Sequence, residues 1–146
     1  MVEGSVEDLR SVSMQVSNHL ALLDLRLVNI VGNLIFPSPK RPLDLEASVL
    51  VDLTRFSEFV TYDIKYMLSV KDRDDSSVMD TEITLNLLFK VKDEVNPTES
   101  DLRAFGSVGA LDIAHPYMRE TVQSLTARMG LPPLVLEIRA PEPINV

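Results

Sequence analysis

The chain has 146 residues, a net charge of −8, a pI of about 4.7 and no cysteine. Its 45% hydrophobic and 25% charged content excludes intrinsic disorder, and its length fits one domain over residues 1–146. The acidic balance disfavours nucleic acid and anionic membrane as partners, and the lack of cysteine excludes disulfides, thiolate metal sites and cysteine nucleophiles.

Residues 1–5 read as a frayed tail, with no basic stretch followed by an apolar one and hence no signal peptide. No apolar run reaches the roughly 18 residues a membrane span needs, and the lack of cysteine fits the reducing cytoplasm expected for this chain. From Val6, apolar side chains recur at Leu9, Val12, Val16 and Leu20, a spacing that predicts an amphipathic helix up to about His19, with Ser5 as its cap. Residues 22–35 predict a strand whose alternation falters at Val28–Asn29, as one extra residue in a bulge would cause, with Gly32 easing the bend. Three prolines in residues 36–42 make an extended connection.

The next three segments alternate cleanly. Leu45, Ala47, Val49, Val51 and Leu53 lie on one face, with Asp44, Glu46 and Asp52 on the other. Val60, Tyr62, Ile64, Tyr66, Leu68 and Val70 repeat the pattern, as do Ile83, Leu85, Leu87, Phe89 and Val91. Period two over these lengths predicts antiparallel strands with one dry and one wet face. Thr98 and Asp101 then form a capping signature before a short helix ending near Gly106 and Gly109. A second helix is expected to begin at Pro116 and stop at Gly130, before Pro132 and Pro133. Residues 134–138 read as a short extended piece, and 140–146 as a loose tail.

Strands clustered together and flanked by helices give an α+β fold, a four-stranded antiparallel sheet with helices packed on one face. No catalytic constellation accompanies it. His19 and His115 read as packing or capping residues, phosphate-binding glycine spacing is absent, and Asp72, Asp74 and Ser76 lack the glycine and the last ligand of a calcium loop. Hence no enzyme activity, metal or cofactor is expected.

Residues 114–137, AHPYMRETVQSLTARMGLPPLVLE, carry a more specific signal. Pro116, Tyr117, Arg119 and Glu120, followed by Gly130, Pro132, Pro133 and Leu134, resemble a motif of the SecB chaperone family, with His115 where an aromatic usually stands. Arg26–Leu27 and the break at Pro37 fall where that family has its first strand and crossover, so the resemblance spans roughly residues 22–138. The wording LTARMG–PPL–LEI also resembles a SecB-like subgroup that works with toxin–antitoxin modules.

The resemblance implies a homodimer or homotetramer that holds unfolded polypeptides without ATP, its clients being preproteins or an antitoxin. Candidate groove residues are Phe36, Leu43, Leu45, Phe105, Leu111, Ile113 and Tyr117. The family's long terminal helix and tail that contact the SecA motor have no counterpart before Val146, and Val31 and Ile35 stand where the family presents acidic residues to SecA. Asp44, Glu46, Asp63, Asp80 and Glu82 on the wet sheet face offer a different acidic docking surface, which ordinary solvation also explains. A dedicated antitoxin chaperone, and a non-chaperone module for a fixed partner or apolar ligand, are the alternatives.

Overall fold

In the computed structural model, residues 6–36, 38–92 and 95–145 are described. The tail expected over residues 1–5 lies outside them. Helix α1 (Val6–Ser17) leads into strands β1 (Leu20–Leu34), β2 (Asp44–Phe56), β3 (Phe59–Lys71) and β4 (Ser77–Val91), followed by α2 (Glu99–Phe105), a π-helical turn (Gly106–Ala110) and α3 (Leu111–Arg128). The four strands form one antiparallel sheet in the order β1-β4-β3-β2, so β1 and β2 are its edges.

The alternation in β3 and β4 translates directly into burial. Val60, Tyr62, Ile64, Tyr66 and Val70 are fully buried, as are Ile83 and Leu87 across the ladder. All of these but Val70 form the main core with Leu102, Phe105, Ala114, Met118 and Val122 of the helical layer, while Val70 packs with Val78, Met79 and Leu131 in a smaller cluster. Tyr62, Phe89 and Phe105 meet edge to face, with centroids 5.1–5.7 Å apart.

The expected bulge at Val28 is present, since the register with β4 slips between Leu27 and Asn29. A second slip, between Leu22 and Asp24, was not foreseen. Two inserted residues restore the original parity, so Leu22, Leu25, Leu27, Ile30 and Leu34 all face the inner side, opposite Phe89, Leu87, Leu85, Ile83 and Met79. Gly32 lies close under the helical layer: a Cβ there would come within 2.6 Å of the terminal methyl of Met129, a flexible side chain end that can move aside.

The helical half corrects the sequence expectation. Thr98 and Asp101 do form a reciprocal capping box, and Gly130, at φ +77°, closes α3. However, the chain does not break at Gly106 and Gly109 or restart at Pro116. A single rod runs from Glu99 to Arg128 through the π turn, with Pro116 inside α3, where it forfeits a bond to the Asp112 carbonyl. Gly106 serves close approach instead: a Cβ there would sit 2.7 Å from a Tyr62 ring carbon.

Residues 140–145 are not a loose end. The Ile144 amide donates to the Val49 carbonyl at 2.9 Å, and the Asn145 side chain bonds both backbone groups of Val51 at 3.0 and 2.8 Å, in a short parallel bridge to β2.

Candidate functional site

The inner face of β1 is apolar but largely uncovered. Leu22, Leu27 and Ile30 are 45%, 50% and 42% exposed, while their cross-strand partners Phe89, Leu85 and Ile83 are buried. The helical layer reaches β1 where Met129 and Leu125 approach Gly32. The inserted residues Leu23 and Val28 and the outward-facing Val31 are also exposed, and the stripe continues through Leu34 and Ile35 to Phe36. β1 is an edge strand as well, so among the described residues one side of its backbone has no neighbouring strand. An apolar edge of this length is a surface that a soluble protein must cover or use.

The residues expected to line a groove do not come together as one surface. Phe36 is exposed at the end of the β1 stripe, and Leu43 and Leu45 are half-buried beside Val70, Met79 and Leu131. Ile113 is half-buried and Tyr117 lies 54% exposed on α3. Phe105 and Leu111, by contrast, are buried in the core and present no surface to a ligand. Phe105 is drawn inward by the aromatic cluster with Tyr62 and Phe89. Sequence reasoning missed most of the β1 stripe, although LVNIVGNLIF, apolar on both parities, carried the signal.

Asp44, Glu46, Asp63, Asp80 and Glu82 share the outer sheet face, as the alternation requires. Glu46, Asp80 and Glu82 line a shallow concavity of about 480 Å³ with Val31, Asn33 and Met67. Part of this charge is already engaged: Glu82 pairs with Lys65 at 3.4 Å and accepts from Asn29, and Asp63 accepts from Asn86 at 2.7 Å.

Asp72, the first residue of the calcium-like stretch, spends its carboxylate on the chain itself. Burial raises its pKa, but bonds from the Ser76, Asp74 and Lys40 amides and the Lys40 charge outweigh this and hold it below the ordinary carboxylate value. Among the described residues no group of His, Asp or Glu is arranged to hold a metal ion, and no helix is long and apolar enough to cross a membrane.

His115 is buried with both ring nitrogens engaged, one by the Tyr66 hydroxyl and one by the Glu137 carbonyl. Arg119 Nε donates to the Leu136 carbonyl at 3.0 Å, and the Leu134 amide donates to the buried Thr126 hydroxyl at 3.0 Å. Together these bonds fasten residues 134–137 to the helical layer.

No family model matches the sequence. The chain is 27% identical to the SecB-like chaperones Rv1957 and MT2006 of two Mycobacterium tuberculosis strains, over 94% of its own length and 88% of theirs. Its fold superposes on the solved structure of Rv1957 in complex with a ChAD peptide from the HigA1 antitoxin. The TM-score is 0.82 at 26% identity, covering 92% of this chain and 99% of that one. In sequence and in fold, over nearly its whole length, this chain is similar to the SecB-like chaperones.

Proposed function

We propose that this protein is an ATP-independent holdase that binds unfolded or aggregation-prone polypeptides in a reducing cytoplasm. The β1 stripe from Leu22 to Phe36 carries the reading, because it is an apolar edge that the chain's own helices leave open. Unfolded clients offer apolar side chains, and burying them yields about 25 cal/mol per Å². Preferential binding to the unfolded state shifts a client's folding equilibrium with no chemical step and no nucleotide. A second copy of the chain covers part of the stripe in a homodimer or homotetramer. The stretch near Phe36, Leu43 and Leu45 is left for clients, with Ile113 and Tyr117 as a separate contact area.

A dedicated role with an antitoxin is the second reading, favoured because the structural neighbour was solved holding an antitoxin peptide. The outer acidic face is the candidate dock for SecA in an export role. Light scattering of a heat- or dilution-aggregating client, without ATP and with native mass measured in parallel, tests the holdase reading. Suppression at near-stoichiometric ratio is expected, and a folded oligomer that leaves aggregation unchanged overturns it. Pull-down of SecA favours export, whereas capture of a partner antitoxin with SecA ignored favours the second reading.

A further inference from the structure

The edge opposite β1 carries a different device. On the free side of β2, the Val49 carbonyl and both backbone groups of Val51 are taken by Ile144 and Asn145 of the chain's own C-terminal segment. By the two-residue period, Leu45, Ala47 and Leu53 turn their amides and carbonyls to the same free side. Among the described residues the segment bonds none of them.

The segment divides into two parts. As far as Glu137 it is anchored: Leu131 and Leu136 are buried, and Thr126, Arg119 and His115 hold its backbone. Beyond Glu137 the fit is poor. Ile138 and Ile144 are 83% and 64% exposed, and a cleft of about 400 Å³ lined by Leu45, Ala47, His115, Leu136, Ala140 and Pro141 stays open beneath it. Main-chain bonding with little apolar burial is the signature of a locally weak unit. Pro141 and Pro143 keep it extended, in the shape of a bound peptide strand.

We propose that residues 139–145 are an autoinhibitory strap, which occupies the β2 edge in place of a client strand and yields to an extended apolar client segment. This rests on the holdase reading and deepens it. A client displacing the strap gains the Val49 and Val51 bonds, the unused groups of Leu45, Ala47 and Leu53, and the cleft below. Strap and client compete, so the client's apparent affinity is reduced by the fraction of molecules with the strap in place. Such an edge accepts added strands in many recognition systems.

Two variants of the full protein test this. One ends at Arg139. The other keeps its full length and carries Ile144→Pro with Asn145→Ala, which removes the amide donor to Val49 and the side-chain bonds to Val51. Both keep the anchored part as far as Glu137, and the second also keeps Ala140, which packs against the core. The probe is a fluorescently labelled, carboxymethylated and permanently unfolded polypeptide, with hydrogen exchange at the Ile144 amide followed in the wild type. The strap predicts roughly tenfold tighter capture by both variants, the scale of one to two net hydrogen bonds no longer competing. It also predicts that client binding exposes the wild-type Ile144 amide to exchange.

Unchanged affinity in both variants, or an Ile144 amide still protected in the client complex, overturns the strap while leaving the holdase reading in place. Larger assemblies of the shortened chain with unchanged client affinity also overturn it, since the segment is then only a guard of the edge. If neither the wild type nor the variants bind the probe, the holdase reading fails and the strap falls with it.

Discussion

The Tyr66 hydroxyl meets His115 Nδ1 at 2.5 Å, while the opposite ring nitrogen of His115 lies 2.6 Å from the Glu137 carbonyl. A carbonyl only accepts, so Nε2 carries the proton and donates. In the neutral ring Nδ1 then accepts from the Tyr66 hydroxyl. One side chain thus ties β3, α3 and the C-terminal segment together. His115→Phe keeps a ring stacked near Tyr66 but leaves a buried hydroxyl and a carbonyl without their partner. A loss of about 2 kcal/mol is expected in urea unfolding, against about 1 kcal/mol for Tyr66→Phe. The double variant should cost less than the sum of the two, because both remove the same bond.

The buried tyrosines also set an alkaline limit. Burial raises the pKa of Tyr62 and Tyr66 above the ordinary 10.0, and for Tyr66 the nearby Asp112 carboxylate adds to the effect. Folded tyrosines stay neutral where unfolded ones begin to ionise. Their contribution is therefore complete below pH 10 and is lost as the pH rises from there towards the folded values. The urea midpoint should fall steeply above pH 10, and Tyr62→Phe together with Tyr66→Phe should flatten that decline.

Gly106 provides a packing test inside the helical rod. An alanine there improves helix propensity by about 1 kcal/mol, but its methyl would lie 2.7 and 2.9 Å from two Tyr62 ring carbons and 3.2 Å from Val51. Overpacking of this kind costs about 1–3 kcal/mol, so Gly106→Ala should lower stability on balance, by about 1 kcal/mol. Gly130→Ala meets open space but sits at φ +77°, so its cost is a backbone cost, again about 1 kcal/mol. Thermal unfolding of both, with near-ultraviolet circular dichroism around Tyr62, separates crowding from strain, since only the Gly106 variant should disturb the aromatic signal.

Leu27→Asp with Ile30→Asp places two charges on the open stripe. Each side chain is already about half exposed in the single chain, so the fold should tolerate the change within about 1 kcal/mol. An assembly that uses this edge must then bury unpaired carboxylates. Native mass should drop to the monomer while the far-ultraviolet spectrum is unchanged. Wild-type mass in the variant would show that the subunits meet elsewhere.

The parts of the fold that a short window of sequence determines were legible. β2, β3 and β4 alternate because each has one wet and one dry side, and the Thr98–Asp101 cap is a local exchange of bonds. The insertion at Val28 showed as a broken rhythm, but the one at Leu23 was hidden, because Leu22 and Leu23 are apolar at both parities. Gly106 and Pro116 looked like punctuation, because propensity does not register that a Tyr62 ring requires the missing methyl. The open stripe became visible once strand order made β1 an edge, and the bridge from Asn145 to Val51 joins residues far apart in sequence. Phe105 was misjudged for the same reason, since its two ring partners come from different strands.

The rod from Glu99 to Arg128 is about 10 Å across, and four strands at about 4.8 Å spacing make a floor nearly twice that width. Centred over β3 and β4, one log leaves a margin on each side. One margin ends in bare β1 and the other beneath residues 139–145, so left and right flanks can change by mutation without disturbing each other. On the holdase reading, a subunit contact along β1 and a client strand along β2 would then be open to independent adjustment in a single chain.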